Sequence, residues 1–274
     1  MRVEACGVGL TVLNYMNGNH SRRPEDLPRI PGHEAVGTVV EVGAAVTTLS
    51  AGQRVMSYFY LFCDDCDLCR LAHEPLCRRL RGQVGVAADG GYAEYLALPA
   101  RNFLPVPEGV SVVQMAREFG GAVIAIDRGT HKLKAVSEFG AHAALDADTP
   151  DLSDCVRAVA PGGVGVAIDL VGTAQTLGAC LEALGPRGRL VLLTTFPGVV
   201  TEVAPRSMVQ AEISIIGSRY ASRWEVAQAA RLVAARRITP VVSEVVPLPN
   251  VEHLHDRLRA GTLLGRGATC PDRS

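Results

Sequence analysis

Four of the chain's eight cysteines, Cys63, Cys66, Cys69 and Cys77, fall within fifteen residues as Cys-x2-Cys-x2-Cys-x7-Cys. Clustered cysteines in a chain without export features read as metal ligands rather than as disulfides. The Cys-x2-Cys spacing lets two thiolates from one turn reach a shared ion, and four thiolates about 2.3 Å from zinc close a tetrahedron. With no position left for water, such an ion is structural. An iron–sulfur cluster or a redox dithiol would use the same residue type, but the run of four favours zinc. Between the cysteines lie Asp64, Asp65, Asp67, Arg70 and His73, with few apolar residues, as expected of a lobe held together by metal. Cys6, Cys155, Cys180 and Cys270 are scattered and read as small buried hydrophobes.

Two further places carry chemistry-bearing residues. His33 and Glu34 follow a Pro31-Gly32 turn, and read either as a metal ligand with an acidic neighbour or as a capped surface pair. Asp127 ends the apolar run Ala122–Ile126, where an alternating α/β fold binds the adenosine ribose of NAD; a solvated strand end is the alternative. The phosphate-binding loop belongs about 20 residues before that acid, between a first strand and its helix. No Gly-x-Gly-x-x-Gly is there: the chain runs from Phe103–Pro107 into a helical stretch expected over Val113–Phe119. Gly162-Gly163-Val164-Gly165 precedes a strand and opens no helix, the wrong order for a pyrophosphate cradle.

The elements that position these residues change character along the chain. In the first third, short β-branched runs (Gly37–Val42, Gln53–Tyr58 and, later, Gly91–Leu98) alternate with Gly turns, as in a small antiparallel barrel. From Ala122, apolar strands (Val166–Val171, Arg189–Leu193, Ile213–Gly217) alternate with helical segments such as Ala174–Leu184 and Trp224–Ala235, which implies a parallel, doubly wound sheet. The chain has 274 residues, 27 Lys+Arg against 28 Asp+Glu, and 48% hydrophobic residues. That balance offers no footprint for nucleic acid or an anionic membrane. No apolar run reaches the roughly 18 residues of a membrane span, and Glu4 interrupts any export signal, so a cytoplasmic protein is expected.

Taken together, Pro31-Gly32-His33-Glu34, the four-cysteine run, Gly90-Gly91-Tyr92-Ala93-Glu94-Tyr95 and the strand ending at Asp127 resemble the zinc-containing medium-chain dehydrogenase/reductase superfamily, alcohol dehydrogenase type. The resemblance implies an α/β protein: a GroES-like β-barrel catalytic domain over 1–112, a Rossmann-type domain over 113–244, and a C-terminal segment, 245–274, returning to the first. It implies a zinc-dependent alcohol dehydrogenase using NAD(P), with hydride passing between a small alcohol or aldehyde and the cofactor. Cys63, Cys66, Cys69 and Cys77 match the structural-zinc ligands, and His33 the catalytic-zinc histidine. Glu34 matches the acid beside that zinc, and Thr11 the hydroxyl that hands the alcohol proton outward. Asp127 matches the ribose acid, with Lys132 nearby, favouring NAD(H) over NADP(H); Arg128 is placed to meet a 2′-phosphate. Arg266 matches a pyrophosphate contact, and relatives commonly form homo-oligomers.

The departures from the family's pattern are specific. Gly9 stands where the family places a zinc-ligand cysteine, and Val12 and Asn14 replace an acid and a relay histidine. Glu34 and Cys6 are the candidate substitute ligands. The third ligand, the first Rossmann strand and the glycine loop are missing between Val110 and Val113, and the N-terminal hairpin before Arg2 is missing too. The expectation is an internally shortened member, its parallel sheet lacking its first strand and left with strands re-paired or with two unpaired edges. The alternative is a catalytically impaired member, a zinc-stabilised scaffold or a zinc-independent reductase.

Overall fold

Strand β1 (Arg2–Val8) sits inside an extended ladder, paired antiparallel on one side with β2 (Glu34–Thr38) and on the other with β11 (Arg266–Cys270). β2 continues to β3 (Arg54–Ser57) and β4 (Phe103–Pro105); on the far side, β10 (Val242–Pro247) runs parallel to β11. The resulting six-stranded order is β10-β11-β1-β2-β3-β4. These are residues of a computed structural model that describes positions 1–18, 27–105, 120–194 and 196–271. The helix expected over Val113–Phe119 and the Val110–Val113 junction lie outside the described residues.

Alternation along β1 buries Val3, Cys6 and Val8, with a register shift between Val3 and Ala5 that keeps Cys6 facing the core. Met1, Val3, Cys6, Ala35, Val39, Val55, Leu96 and Phe103 form the first apolar cluster. A second joins Tyr58, Phe59, Tyr60 and Phe62 to Cys69, Cys77 and Leu104. The helix α1 (Leu10–Met16) follows β1 directly, and α2 (Asp67–Arg70) lies within the cysteine run.

The segment Gly91–Leu98 is not the regular strand its pattern predicts. Its backbone meets β1 through Val3 N–H to the Glu94 carbonyl (2.8 Å), Leu96 N–H to the Met1 carbonyl (2.9 Å) and a bridge between Arg2 and Tyr95. The cause is Gly90, which presses against the Pro31 and Gly32 carbonyls where no Cβ fits, so the chain bends into the Pro31-Gly32 turn.

Contacts divide the chain into two units, Met1–Ser111 with Ala221–Ser274, and Val112–Tyr220. The first unit includes α7 (Arg223–Ala234), opened by a reciprocal Ser222–Glu225 cap, and α8 (Val251–Arg259). The Tyr58 hydroxyl donates to the Ala221 carbonyl (2.9 Å), which ties the start of α7 to the aromatic cluster.

The second unit is built from parallel strands with helical crossovers. β5 (Ile124–Asp127) pairs with β6 (Ala143–Asp146), connected by α3 (Thr130–Glu138). After α4 (Leu152–Val159), β7 (Val164–Asp169), β8 (Leu184–Leu192) and β9 (Ser214–Gly217) form a three-stranded sheet with α5 (Ala174–Ala183) and α6 (Pro205–Ala211). Glycine at 163 is required twice over: its φ is +78°, and a Cβ there would run into Gly185 at the start of β8. β8 starts five residues earlier than the apolar run Arg189–Leu193 predicts, straight from the end of α5.

No ladder among the described residues joins β5 to β7. In the strand order 3-2-1-4-5-6 of a doubly wound sheet, the break falls where the first strand belongs. Parallel strands are normally covered on both faces, yet Val166 and Ile168 of β7 are 49% and 42% exposed while Leu190 of β8 is fully buried. Leu190→Ala should therefore cost about 2–5 kcal/mol and Val166→Ala less than about 1 kcal/mol, read by denaturant unfolding. Equal losses would show that β7 is covered.

Candidate metal centre and redox site

The four cysteines converge. Cys63 and Cys66 lie in the loop before α2, Cys69 within it, and Cys77 after the short turn Glu74–Leu76. Their sulfurs stand 3.5–3.9 Å apart in four pairs: Cys63–Cys77 and Cys66–Cys69 at 3.5 Å, Cys63–Cys69 and Cys66–Cys77 at 3.9 Å. A tetrahedron of sulfurs about 2.3 Å from zinc has edges of about 3.8 Å, so the donor set fits this ion with no open position. It is the group of three or more metal-binding side chains found among the described residues.

Backbone N–H groups turn toward the sulfurs: Cys66 to Cys63 (3.3 Å), Cys63 to Cys77 (3.4 Å) and Arg79 to Cys77 (3.4 Å). The Asp65 backbone, then the Arg79 guanidinium and neighbouring donors, bring the Cys63 thiol down to about 5, against the opposing effect of burial. The acids between the cysteines balance the arginines rather than bind metal: Asp65 pairs with Arg70 and Arg79, and Asp67 takes a two-pronged contact from Arg78. Glu74, buried, accepts from the Arg223 backbone N–H (3.4 Å) at the start of α7.

The second cluster stands on the paired strands. Cross-strand register sets Gly7 opposite Glu34, and a Cβ on Gly9, just past the end of β1, would stand 3.9 Å from an Arg266 nitrogen. Gly7 and Gly9 share a face, because strand side chains alternate. The Glu34 carboxylate folds across that bare floor: a Cβ on Gly7 would collide with it, and one on Gly9 would lie 3.2 Å from Oε1. Glu34 Oε1 also stands 3.4 Å from an Arg266 nitrogen and 3.7 Å from His33 Nε2. His33 is buried against the Phe59 ring, 4.4 Å between centroids, and the Ser57 hydroxyl donates to its carbonyl (2.7 Å).

Cys6, a candidate substitute ligand, is on the opposite face of β1. Its sulfur packs into the first apolar cluster beside Gly32 and Gly91, and burial drives its thiol well above the ordinary range. Strand alternation excludes it from the Glu34 side. Thr11 is at the second position of α1, two residues past Gly9. Among the described residues His33 and Glu34 do not belong to a group of three metal-binding side chains, the number a catalytic zinc takes. Of the other cysteines, Cys155, Cys180 and Cys270 are half-buried rather than buried.

In the second unit Asp127 ends β5, as expected. Its carboxylate accepts from the Arg128 backbone N–H (2.7 Å) and stands 3.5 Å from Lys132 Nζ. The Arg128 guanidinium turns to Asp148 at 3.0 Å. Asp169, at the end of β7, is buried and fully engaged by the Val171 and Gly172 N–H groups and the Thr176 hydroxyl, a structural cap.

Two features escaped the sequence reading. Gly7 signalled itself only as the i, i+2 partner of Gly9. His255, buried on α8, contacts the Tyr92 hydroxyl (3.4 Å) and Glu252 (3.0 Å); no spacing rule links residues 92 and 255.

Comparison with known proteins agrees with this architecture. The alcohol dehydrogenase GroES-like domain model matches residues 1–108 and the zinc-binding dehydrogenase model residues 107–235. The chain belongs to the zinc-containing medium-chain dehydrogenase/reductase superfamily of the alcohol dehydrogenase type. It is 28% identical to an alcohol dehydrogenase of Geobacillus stearothermophilus over 307 positions, covering 97% of this chain and 90% of the relative. Because 307 exceeds the chain's 274 residues, the relative carries residues within the matched span that this chain lacks. Among solved structures, AibC superposes with a TM-score of 0.90 at 28% identity, covering 99% of this chain and 87% of that one. A thermostable alcohol dehydrogenase from Pyrobaculum aerophilum gives 0.86 at 26% identity, with 99% and 90% covered. No helix among the described residues is long and apolar enough to cross a membrane.

Cys63→Ser should lose bound zinc and melt several degrees lower in a thermal scan followed by far-UV circular dichroism. Unchanged zinc content in this variant would remove Cys63 from the ligand set.

Proposed function

We propose that this chain is an oxidoreductase, stabilised by a structural zinc on Cys63, Cys66, Cys69 and Cys77, that moves hydride between a small alcohol or aldehyde and NAD(H). The tip of β5 carries this reading. Asp127 ends a parallel strand with its carboxylate held toward solvent by Lys132, placed to accept both hydroxyls of an adenosine ribose. A 2′-phosphate would meet that carboxylate instead, and Arg128 is engaged by Asp148, which supports NAD(H) over NADP(H). When bound, the nicotinamide supplies the hydride acceptor or donor.

The chain's own groups have the remaining tasks. Oxidising an alcohol releases a proton with each hydride, and the Thr11 hydroxyl at the start of α1 is the candidate to pass it outward. His33 and Glu34 supply a polar wall, with Glu34 neutralised by Arg266. The second reading, a catalytically impaired scaffold, is favoured by one observation, the break between β5 and β7 where a first strand and its glycine loop would stand.

Titration of the purified, zinc-loaded protein with NADH, followed by cofactor fluorescence, separates the two. The proposal expects saturable binding, weakened about tenfold by Asp127→Asn, the worth of a hydrogen bond to a charged group. A folded protein that does not bind NADH would assign it to the scaffold reading.

A further inference from the structure

The chain re-enters the first unit at Ala221, and the residues that follow are held by the segment that carries the four cysteines. Four elements make the grip. The Tyr58 hydroxyl donates to the Ala221 carbonyl at 2.9 Å. The buried Glu74 carboxylate accepts from the Arg223 backbone N–H at 3.4 Å. The Arg223 guanidinium stands 5.5 Å from the centre of the Phe62 ring and 3.9 Å from Asp64, the residues on either side of Cys63. Val226, one turn into α7, packs on the cluster that includes Phe62, Cys69 and Cys77. Just before this grip, Tyr220 has a φ of +60°, a left-handed conformation that a bulky side chain adopts only where its surroundings impose it.

We propose that the cysteine lobe is a metal-dependent latch: zinc on the four sulfurs sets Phe62, Asp64 and Glu74 in place, and these hold the return segment Ala221–Val226. The latch rests on the structural zinc of the proposed function, and is independent of whether the chain binds NADH. Few apolar residues lie between Cys63 and Cys77, and two of them, Leu71 and Leu76, are exposed. The lobe therefore takes its shape from its sulfurs rather than from packing of its own. Phe62 and Asp64 adjoin one ligand, so fixing Cys63 fixes both. Glu74 opens the short turn Glu74–Leu76 that leads into Cys77, another ligand. Without the ion, the loop before α2 and the turn after it share no centre, and Arg223 loses its partners on both. The strained backbone at Tyr220 then favours release of the segment.

The chain's single tryptophan, Trp224, is beside Arg223 and 63% exposed, so it reports the segment directly. The full zinc-loaded chain is compared with the same chain stripped by a chelator under reducing conditions, with zinc content read by inductively coupled plasma mass spectrometry. Two signals are followed: Trp224 fluorescence anisotropy, and hydrogen exchange of peptides covering 221–226, with β5 and β6 as the folded reference. Stripping should lower the anisotropy and speed exchange at 221–226 about tenfold, leaving the reference strands unchanged. Where stripping unfolds the reference as well, the zinc-loaded double variant Tyr58→Phe, Arg223→Ala carries the test: it should keep its zinc and show the same loosening. A stripped, folded chain with unchanged exchange at 221–226 would overturn the latch, and so would wild-type exchange in the zinc-loaded double variant. A chain that binds no zinc would overturn the structural zinc too, a failure that the zinc content alone distinguishes.

Discussion

The first unit depends on the register of β1. Held between β2 and β11, this strand fixes which residues of three distant segments share a face: Gly7 and Gly9 from the N-terminus, Glu34 after the Pro31-Gly32 turn, and Arg266 from the far end of the chain. A slip of one residue would send Cys6 to the Glu34 side and put glycines in the core. The irregularity between Val3 and Ala5 is what lets Val3 and Cys6 both face inward, so the apolar core and the polar floor are set by one ladder. The site's character follows. Glycines permit the carboxylate to lie flat on the strand, and the arginine across the ladder neutralises it.

Among the described residues, the second unit holds two separate parallel ladders. β5–β6 and β7–β8–β9 keep their ladders and their crossover helices, because each βαβ connection is local. No ladder among the described residues joins the two. Leu190 is still enclosed by the Leu177 and Leu184 cluster, whereas β7 presents Val166 and Ile168 outward. Core burial therefore concentrates around β8, and Asp127, the acid proposed to meet the ribose, stands on a two-strand sheet.

Much of this was legible in the sequence, for physical reasons that differ by feature. The cysteine run was readable because metal geometry constrains spacing tightly, and the sulfurs fall at the separations a tetrahedron demands. Asp127 at a strand end and the alternation after Ala122 were readable because buried parallel strands are continuous apolar runs. The lack of a glycine loop was readable directly, and among the described residues no ladder joins β5 to β7. Gly91–Leu98 misled because its alternation is real, while the backbone contact of Gly90 with the Pro31-Gly32 turn is long-range. The Cys6 alternative failed on the parity of one strand, which needs only a secure register. Contacts such as Tyr92–His255 and Glu34–Arg266 join residues more than 160 positions apart, where no local pattern reaches.

The zinc K-edge X-ray absorption spectrum of the purified protein is the most direct test of an account in which the sulfur tetrahedron of Cys63, Cys66, Cys69 and Cys77 holds a zinc ion. The account predicts a shell of sulfurs at about 2.3 Å. A spectrum fitted by nitrogen or oxygen at about 2.0–2.1 Å alone, with no sulfur shell, would contradict it.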